Sequence, residues 1–127
     1  MKDYLGKIMI TDLNDKIIEN VKKDSVPMVI EALGDDLDEV ILYGSCARGD
    51  YSFDSDVDIA LITDCDRYDS KKYSKKLASI AAEMTTRYMA IVNFVCLPRT
   101  EFNEKRSWYP YFKNIDNEGI VLYGRKV

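Results

Sequence analysis

Asp56 and Asp58 stand two residues apart at the head of an apolar run, Val57 to Ile62. On a β-strand, residues with that spacing project to the same face. Two like charges held so close repel one another unless a cation lies between them. Magnesium takes hard oxygen ligands, commonly one or two carboxylates together with substrate phosphate oxygens. An isolated Asp-x-Asp is a short match and more often reports a loop residue followed by a strand-edge charge. The pair acquires chemical meaning only from what surrounds it.

Upstream, the β-favouring run Val40 to Tyr43 stops at Gly44-Ser45. A glycine there lets backbone N–H groups come close to a phosphate, and the serine adds a hydroxyl donor. A helical turn near Ala47-Arg48 would turn its positive end to the same anion. Arg48 could meet a triphosphate tail, although a loop arginine more often forms a surface ion pair. Gly44 to Gly49 has the outline of a P-loop, but Asp50-Tyr51 stands where Lys-Ser/Thr is needed, and there is no GxGxxG. Gly-Ser, ten residues, then Asp-x-Asp between two apolar runs should occur by chance in roughly one chain of this length in several hundred.

The elements that must position these residues follow from periodicity. Leu13, Ile17, Ile18 and Val21 recur at helical spacing, with Thr11 or Asp12 as a cap. Pro27 predicts either two helices, about 12–23 and 26–33, or one kinked helix ending at Gly34. Strands are expected over Glu39–Tyr43, Val57–Ile62 and Ile91–Leu97. Between the last two, residues 70–88 form an amphipathic helix. Its apolar face carries Tyr73, Leu77, Ile80, Ala81, Met84 and Tyr88, and Lys71, Lys72 and Lys75 lie opposite, with Lys76 on the flank. Thr100 could cap a short helix over Glu101–Trp108, and Pro110 could open another turn through Phe112 and Ile115. Ile120–Tyr123 is either a fourth strand or a docked tail. The order α-β-β-α-β-α-(β) predicts an α+β fold, a small mixed β-sheet packed with helices.

The chain has 127 residues, the size of a single domain, so 1–127 is expected to be one unit. Hydrophobic residues make up 46% and charged residues 31%, the balance of a globular chain. A net charge of −4 gives no global basic field for nucleic acid. The absence of histidine removes every Ser-His and Cys-His nucleophilic scheme. Cys46, Cys65 and Cys96 form no CxxC pair, so neither a disulfide framework nor a zinc knuckle is expected, and a reducing cytoplasm is the expected compartment. MKDYLGKIMI lacks the apolar core of a signal peptide, and no run is long enough to span a membrane.

The run Tyr43-Gly44-Ser45-Cys46-Ala47-Arg48-Gly49-Asp50, with Ser55-Asp56-Val57-Asp58 beyond it, resembles the signature of the DNA polymerase beta-like nucleotidyltransferase superfamily, in particular its minimal nucleotidyltransferase (MNT) branch. The stretches Pro110–Ile115 and Glu118–Tyr123 are more weakly similar to that branch. The resemblance implies Mg2+-dependent transfer of a nucleoside monophosphate from a nucleoside triphosphate, ATP for preference, to a hydroxyl of a protein or RNA acceptor. It implies that Asp56 and Asp58 hold the metal ions, and that Gly44, Ser45, Arg48 and Ser55 hold the nucleotide. Members of this branch often stand beside a helical HEPN partner, so the resemblance also implies the antitoxin of a HEPN/MNT toxin–antitoxin pair.

One feature departs from that pattern. The family usually adds a third carboxylate from a neighbouring strand, but the strongly polar residue of Ile91-Val92-Asn93-Phe94-Val95-Cys96 is Asn93. Its amide can ligate through oxygen, yet it brings no charge and cannot take a proton from a hydroxyl. Glu101 and Glu104, just beyond the strand, are the substitutes within reach in sequence. The alternative to an active transferase is therefore a nucleotide- or partner-binding module with the same fold and little turnover. An aminoglycoside-type transferase is a weaker possibility, because such enzymes usually carry a second domain. Trp108, Tyr109, Tyr111 and Phe112 form an aromatic cluster that either packs the C-terminal segment or offers a stacking surface.

Overall fold

The computed structural model describes residues 12–124. The first helix, α1, runs from Asp15 to Leu33. Its cap is Asn14, whose side chain accepts from the Ile17 N–H at 2.9 Å. Asp12 does not fill that role, and Thr11 lies outside the described residues. Pro27 sits inside α1, which continues through it as one helix. The buried stripe Ile18, Val21, Ser25, Val29 and Leu33 shows why this is tolerated: tertiary packing holds the helix across the hydrogen bond that proline cannot make. Gly34, at φ 55°, ends the helix and donates its N–H to the Ile30 carbonyl, as expected of a glycine stop.

Strand β1 is Leu37–Tyr43 and β2 is Val57–Thr63, with the four-residue turn of helix α2, Ser45–Arg48, between them. The crossover helix begins earlier than its periodicity predicts. A short helix, α3 at Arg67–Ser70, capped by Asp66, leads through a 3-10 turn at Lys71–Tyr73 into α4, Ser74–Tyr88. Strand β3 is Val92–Pro98, α5 is Arg99–Lys105 and α6 is Pro110–Glu118. Thr100 lies within α5, whose N-terminal flanking residue is Pro98 and which has no side-chain cap. The closing segment Ile120–Gly124 is a strand, β4.

The sheet order is β3-β2-β1-β4. β1 pairs antiparallel with β2 and with β4, and β2 pairs parallel with β3. The parallel pair is joined by the helical crossover, as a parallel connection requires. Alternation along the strands divides the core in two. Val40, Leu42, Ile59 and Leu61 face α1 and α4, meeting Val21, Val29, Leu77 and Met84. Ile41, Ala60, Ile62 and Leu97 face the other way, onto Phe102, Phe112 and Ile115 of α5 and α6. With a helical layer on each face, β2 reads as a nearly unbroken apolar run. The aromatic cluster splits accordingly. Phe112 is buried in the second core, while Trp108, Tyr109 and Tyr111 remain exposed above it.

α6 turns into β4 at Gly119. A Cβ there would lie 2.4 Å from the Ile115 carbonyl oxygen and 2.5 Å from Ile41 Cγ2, both closer than packed atoms approach. Gly119→Ala is therefore expected to cost about 1–3 kcal/mol of stability, read as a fall in the urea midpoint without a change in slope.

Candidate active site

Three strand ends converge at one edge of the sheet. Tyr43, the last residue of β1, pairs with Asp58 at the start of β2, and Asp58 pairs in turn with Asn93 at the start of β3. Asp56 precedes β2 and reaches the same place. The Asn93 amide nitrogen donates to Asp56 Oδ2 at 3.0 Å and to Asp58 Oδ1 at 3.1 Å. One donor thus bridges two carboxylates, offsetting part of the repulsion between them.

Gly44 is required twice over. Its φ is 75°, a conformation that costs other residues strain, and a Cβ would stand 2.8 Å from Asp58 Oδ2. The turn at Ser45–Arg48 then starts directly against the carboxylates. The Gly44 carbonyl accepts from the Ala47 and Arg48 N–H groups at 3.1 Å, and the Gly49 N–H closes on Ser45 at 2.9 Å. The expected helical turn at Ala47-Arg48 is present, and the N–H groups of Ser45 and Cys46 at its start have no acceptor within the turn.

The loop that delivers Asp56 is tied down along its length. Tyr51 donates to Asp15 at the start of α1. The Leu13 N–H donates to the Phe53 carbonyl at 2.9 Å. Ser55 Oγ accepts from the Ser52 N–H at 2.9 Å, and the Ser55 N–H returns a bond to the Ser52 carbonyl at 3.1 Å. In this structure Ser55 braces the turn and lines a cleft of about 270 Å³ with Asp56, Phe53, Met89 and Ile91. Phe53, Met89 and Ile91 are exposed apolar side chains at its mouth. Met89 ends α4 at φ 56°, an uncommon setting for a side chain of its size.

Arg48 points away from the carboxylate pair. Its guanidinium meets Asp50 Oδ2 at 3.1 Å through Nε and Glu118 Oε1 at 3.1 Å through a terminal nitrogen. Glu101 is bound by Arg67 at 2.8 Å and Lys105 at 2.9 Å, which hold its carboxyl below the ordinary value. Helix α5, which carries Glu101 and Glu104, leaves the far end of β3. At about 3.3 Å per residue, that end lies roughly 17 Å along the strand from Asn93, so neither glutamate takes the third carboxylate's place. The sequence placed Tyr43, Tyr111 and Glu118 only within longer stretches and gave none of them a place beside the carboxylates. The Tyr43 and Tyr111 hydroxyls meet at 3.0 Å with their rings edge to face. Burial, the bond to Tyr111 and the nearby Asp58 charge raise the Tyr43 pKa. Their only sequence signal was the aromatic run of 108–112 and the last residue of β1.

These observations decide which family the chain belongs to. Residues 14–123 match the profile of the nucleotidyltransferase domain. The chain is a member of the nucleotidyltransferase family. It is 33% identical over 85 residues to a Methanocaldococcus jannaschii protein named "Putative protein adenylyltransferase MJ0604", the match covering 67% of this chain and 77% of that one. A second protein of that organism, "Putative protein adenylyltransferase MJ0141", is 34% identical over 85 residues, covering 67% and 80%. Among solved structures, the complex of a tri-AMPylated Shewanella oneidensis HEPN toxin with its MNT antitoxin shares the fold, with a TM-score of 0.50 at 16% identity over 84% of this chain and 72% of that one. The fold and family implied by the motif are thus those found. No helix of the described residues is long and apolar enough to cross a membrane.

Cys46 lies within the motif. It is buried, with its Sγ donating to the Asp56 carbonyl at 3.5 Å. Burial first, and then the charges of Asp58 and Asp56, push its thiol up to about 11. A raised pKa keeps the group protonated and unreactive at neutral pH. Iodoacetamide at pH 8 should therefore leave Cys46 largely unmodified in the folded chain and alkylate it readily in urea, as checked by peptide mass spectrometry.

Proposed function

We propose that this nucleotidyltransferase uses Mg2+ and ATP to attach AMP to a hydroxyl of a protein acceptor. The single observation that carries the reading is the convergence of Asp56 and Asp58. Two carboxylate oxygens lie within 3.1 Å of one point, the Asn93 amide nitrogen, directly beside the Gly44-Ser45 turn. Hard oxygens converging on one point suit a small divalent cation. Among the described residues no group of three or more His, Cys, Asp or Glu side chains could hold a metal, so the donor set is this pair, which Asn93 would join only by turning its amide oxygen inward in place of the nitrogen. When bound there, Mg2+ would supply positive charge against the triphosphate and favour the ionised form of the attacking hydroxyl.

The chain's own part is binding and alignment. The first N–H groups of the Ser45–Arg48 turn and the Ser45 hydroxyl face the phosphates. Gly44 keeps that turn against Asp58. A bond forms between the acceptor oxygen and the α-phosphorus, the bond from that phosphorus to the bridging oxygen breaks, and pyrophosphate leaves. Asn93 offers no base, so the hydroxyl proton passes to solvent. Arg48 reaches the triphosphate only by giving up Asp50 and Glu118, and Ser55 serves by holding the loop that carries Asp56. The names of the two Methanocaldococcus relatives support a protein acceptor and an adenylyl group. The resemblance to the MNT branch supports a HEPN-type helical partner as that acceptor, with this chain as antitoxin and the cytoplasm as its compartment.

The two hydrogen bonds that Asn93 donates to the carboxylates favour a second reading, a slow enzyme that chiefly binds its partner. One experiment addresses both: the chain is incubated with labelled ATP, Mg2+ and a helical HEPN-type protein. Asp56→Ala and Asp58→Ala should each lower label transfer by about a hundredfold or more. Asn93→Asp should raise transfer by restoring the third carboxylate. Partner binding with no transfer in either the native chain or Asn93→Asp supports the second reading.

A further inference from the structure

The other end of the question is how an acceptor reaches the carboxylates, and β3 supplies a structural answer. β3 is an edge strand: β2 occupies one side, and among the described residues no strand pairs with the other. Edge strands are ordinarily protected by charges, an internal proline or a bulge. The opposite edge, β4, has a register shift against β1. β3 has no such device. It reads Val92-Asn93-Phe94-Val95-Cys96-Leu97 before its terminal Pro98, without a charged residue. Its register with β2 runs unbroken from Val57–Val92 to Thr63–Pro98.

The direction of its free backbone groups follows from the ladder. In a parallel pair, alternate residues turn both N–H and C=O to the same neighbour. The Ile91 carbonyl accepts from the Val57 N–H at 2.8 Å, so Asn93 and Val95 also face β2, while Phe94 and Cys96 present theirs outwards. A cleft of about 470 Å³ runs along this edge. Five consecutive strand residues, Val92 to Cys96, line it, so it opens on the strand's edge rather than on one face. The facing wall carries Ser74, Ala78 and Ala81 around one larger side chain, Leu77, with Lys71 on the rim. Lys71 and its neighbour Lys75 are exposed, which favours an acidic occupant.

We propose that an extended, acidic segment of the acceptor protein adds to β3 as a further strand and so brings its hydroxyl side chain beside Asn93. This inference rests on the reading that the acceptor is a protein. Strand addition supplies affinity through backbone bonds, here to Phe94 and Cys96, and specificity through alternate side chains. The added residue opposite Asn93 projects to the face that carries Asp58. The residues on either side of it project to the other face, over Ala78 and Ala81, and select small apolar side chains.

The test uses nine-residue peptides with a central Tyr, Ser or Thr, valine on either side and glutamates at the ends. They are added to the full chain with labelled ATP and Mg2+, and both label transfer and hydrogen exchange at β3 are read. The peptides should slow exchange at Phe94 and Cys96 by about tenfold or more. Peptides with lysines for the glutamates should protect less. Ala78→Trp, an exposed helix position that fills the cleft, should abolish protection while leaving the fold intact, and Phe94→Pro should do so by removing an outward N–H. Absence of protection, or equal protection in Ala78→Trp, overturns the docking mode. So does label transfer to peptide or to an RNA oligonucleotide with β3 unprotected, and so does peptide-independent protection that rises with chain concentration, which would mean that a second copy occupies the edge. Protection without label transfer upholds the docking mode and counts against the transferase reading, so the two fail separately.

Discussion

Two carboxylates must share one small volume, and the fold exists around that unfavourable arrangement. Asp56 and Asp58 come within 3.1 Å of a common nitrogen, a proximity that like charges resist. Three things hold them there. The β1–β2–β3 register puts Tyr43, Asp58 and Asn93 side by side. The bonds of Tyr51, Phe53 and Ser55 fix the loop that delivers Asp56. The Asn93 amide donates to both carboxylates. None of these is worth much alone, since a hydrogen bond to a charged group contributes only about 1.5–3 kcal/mol. They act because the sheet beneath is anchored on both faces.

That anchoring explains the placement of the helices. One core joins β1 and β2 to α1 and α4, and the other joins them to α5 and α6. Asp58 has the parity of Ala60 and Ile62, and Asn93 that of Val95 and Leu97, so both belong to the α5/α6 face. The aliphatic residues of that face cover the sheet's far end, and Tyr43, which pairs with Asp58, is where its packing reaches the carboxylates. The uncovered end is where strand ends, the Ser45 turn and two clefts meet. The candidate site thus lies at the start of β2 and β3 and the end of β1, beside the turn at Ser45.

Much of this was legible because short-range rules determine it. Runs of β-favouring apolar residues identified β1, β2 and β3, and the glycine-serine turn with its two aspartates marked the candidate site that the fold brings together. Gly34 marked the end of α1. What was illegible depended on distant contacts. Pro27 allows two readings, two helices or one kinked helix, and the structure has the single helix, packed through Val21 and Val29 on either side of the proline. The cap is Asn14, and the loop at Phe53 holds the residue before it, Leu13, a contact no local pattern announces. Arg48 looks available for phosphate until α6 places Glu118 beside it. Glu101 and Glu104 look close to Asn93 along the chain, but strand length puts them at the opposite end of the sheet. The fate of Ile120–Tyr123 depended on a vacant edge of β1, which no local pattern reveals.

Asn93 follows from the same constraint that governs the site. A third carboxylate at that position would add a like charge to a pair already in conflict, and only a tightly held cation would offset it. The amide instead donates to both neighbours, so the geometry is preserved before any cation arrives. The consequence is a weaker field for metal, because the set carries two charges rather than three. A cation entering such a site gains most of its remaining charge compensation from the triphosphate itself. On the proposed function, metal and nucleotide would bind as a unit, and the chain would discriminate less by holding metal than by admitting a triphosphate beside Gly44 and Ser45. Turnover would then depend on how closely the acceptor hydroxyl is aligned, and the unpaired edge next to Asn93 is the part of the molecule proposed to supply that alignment.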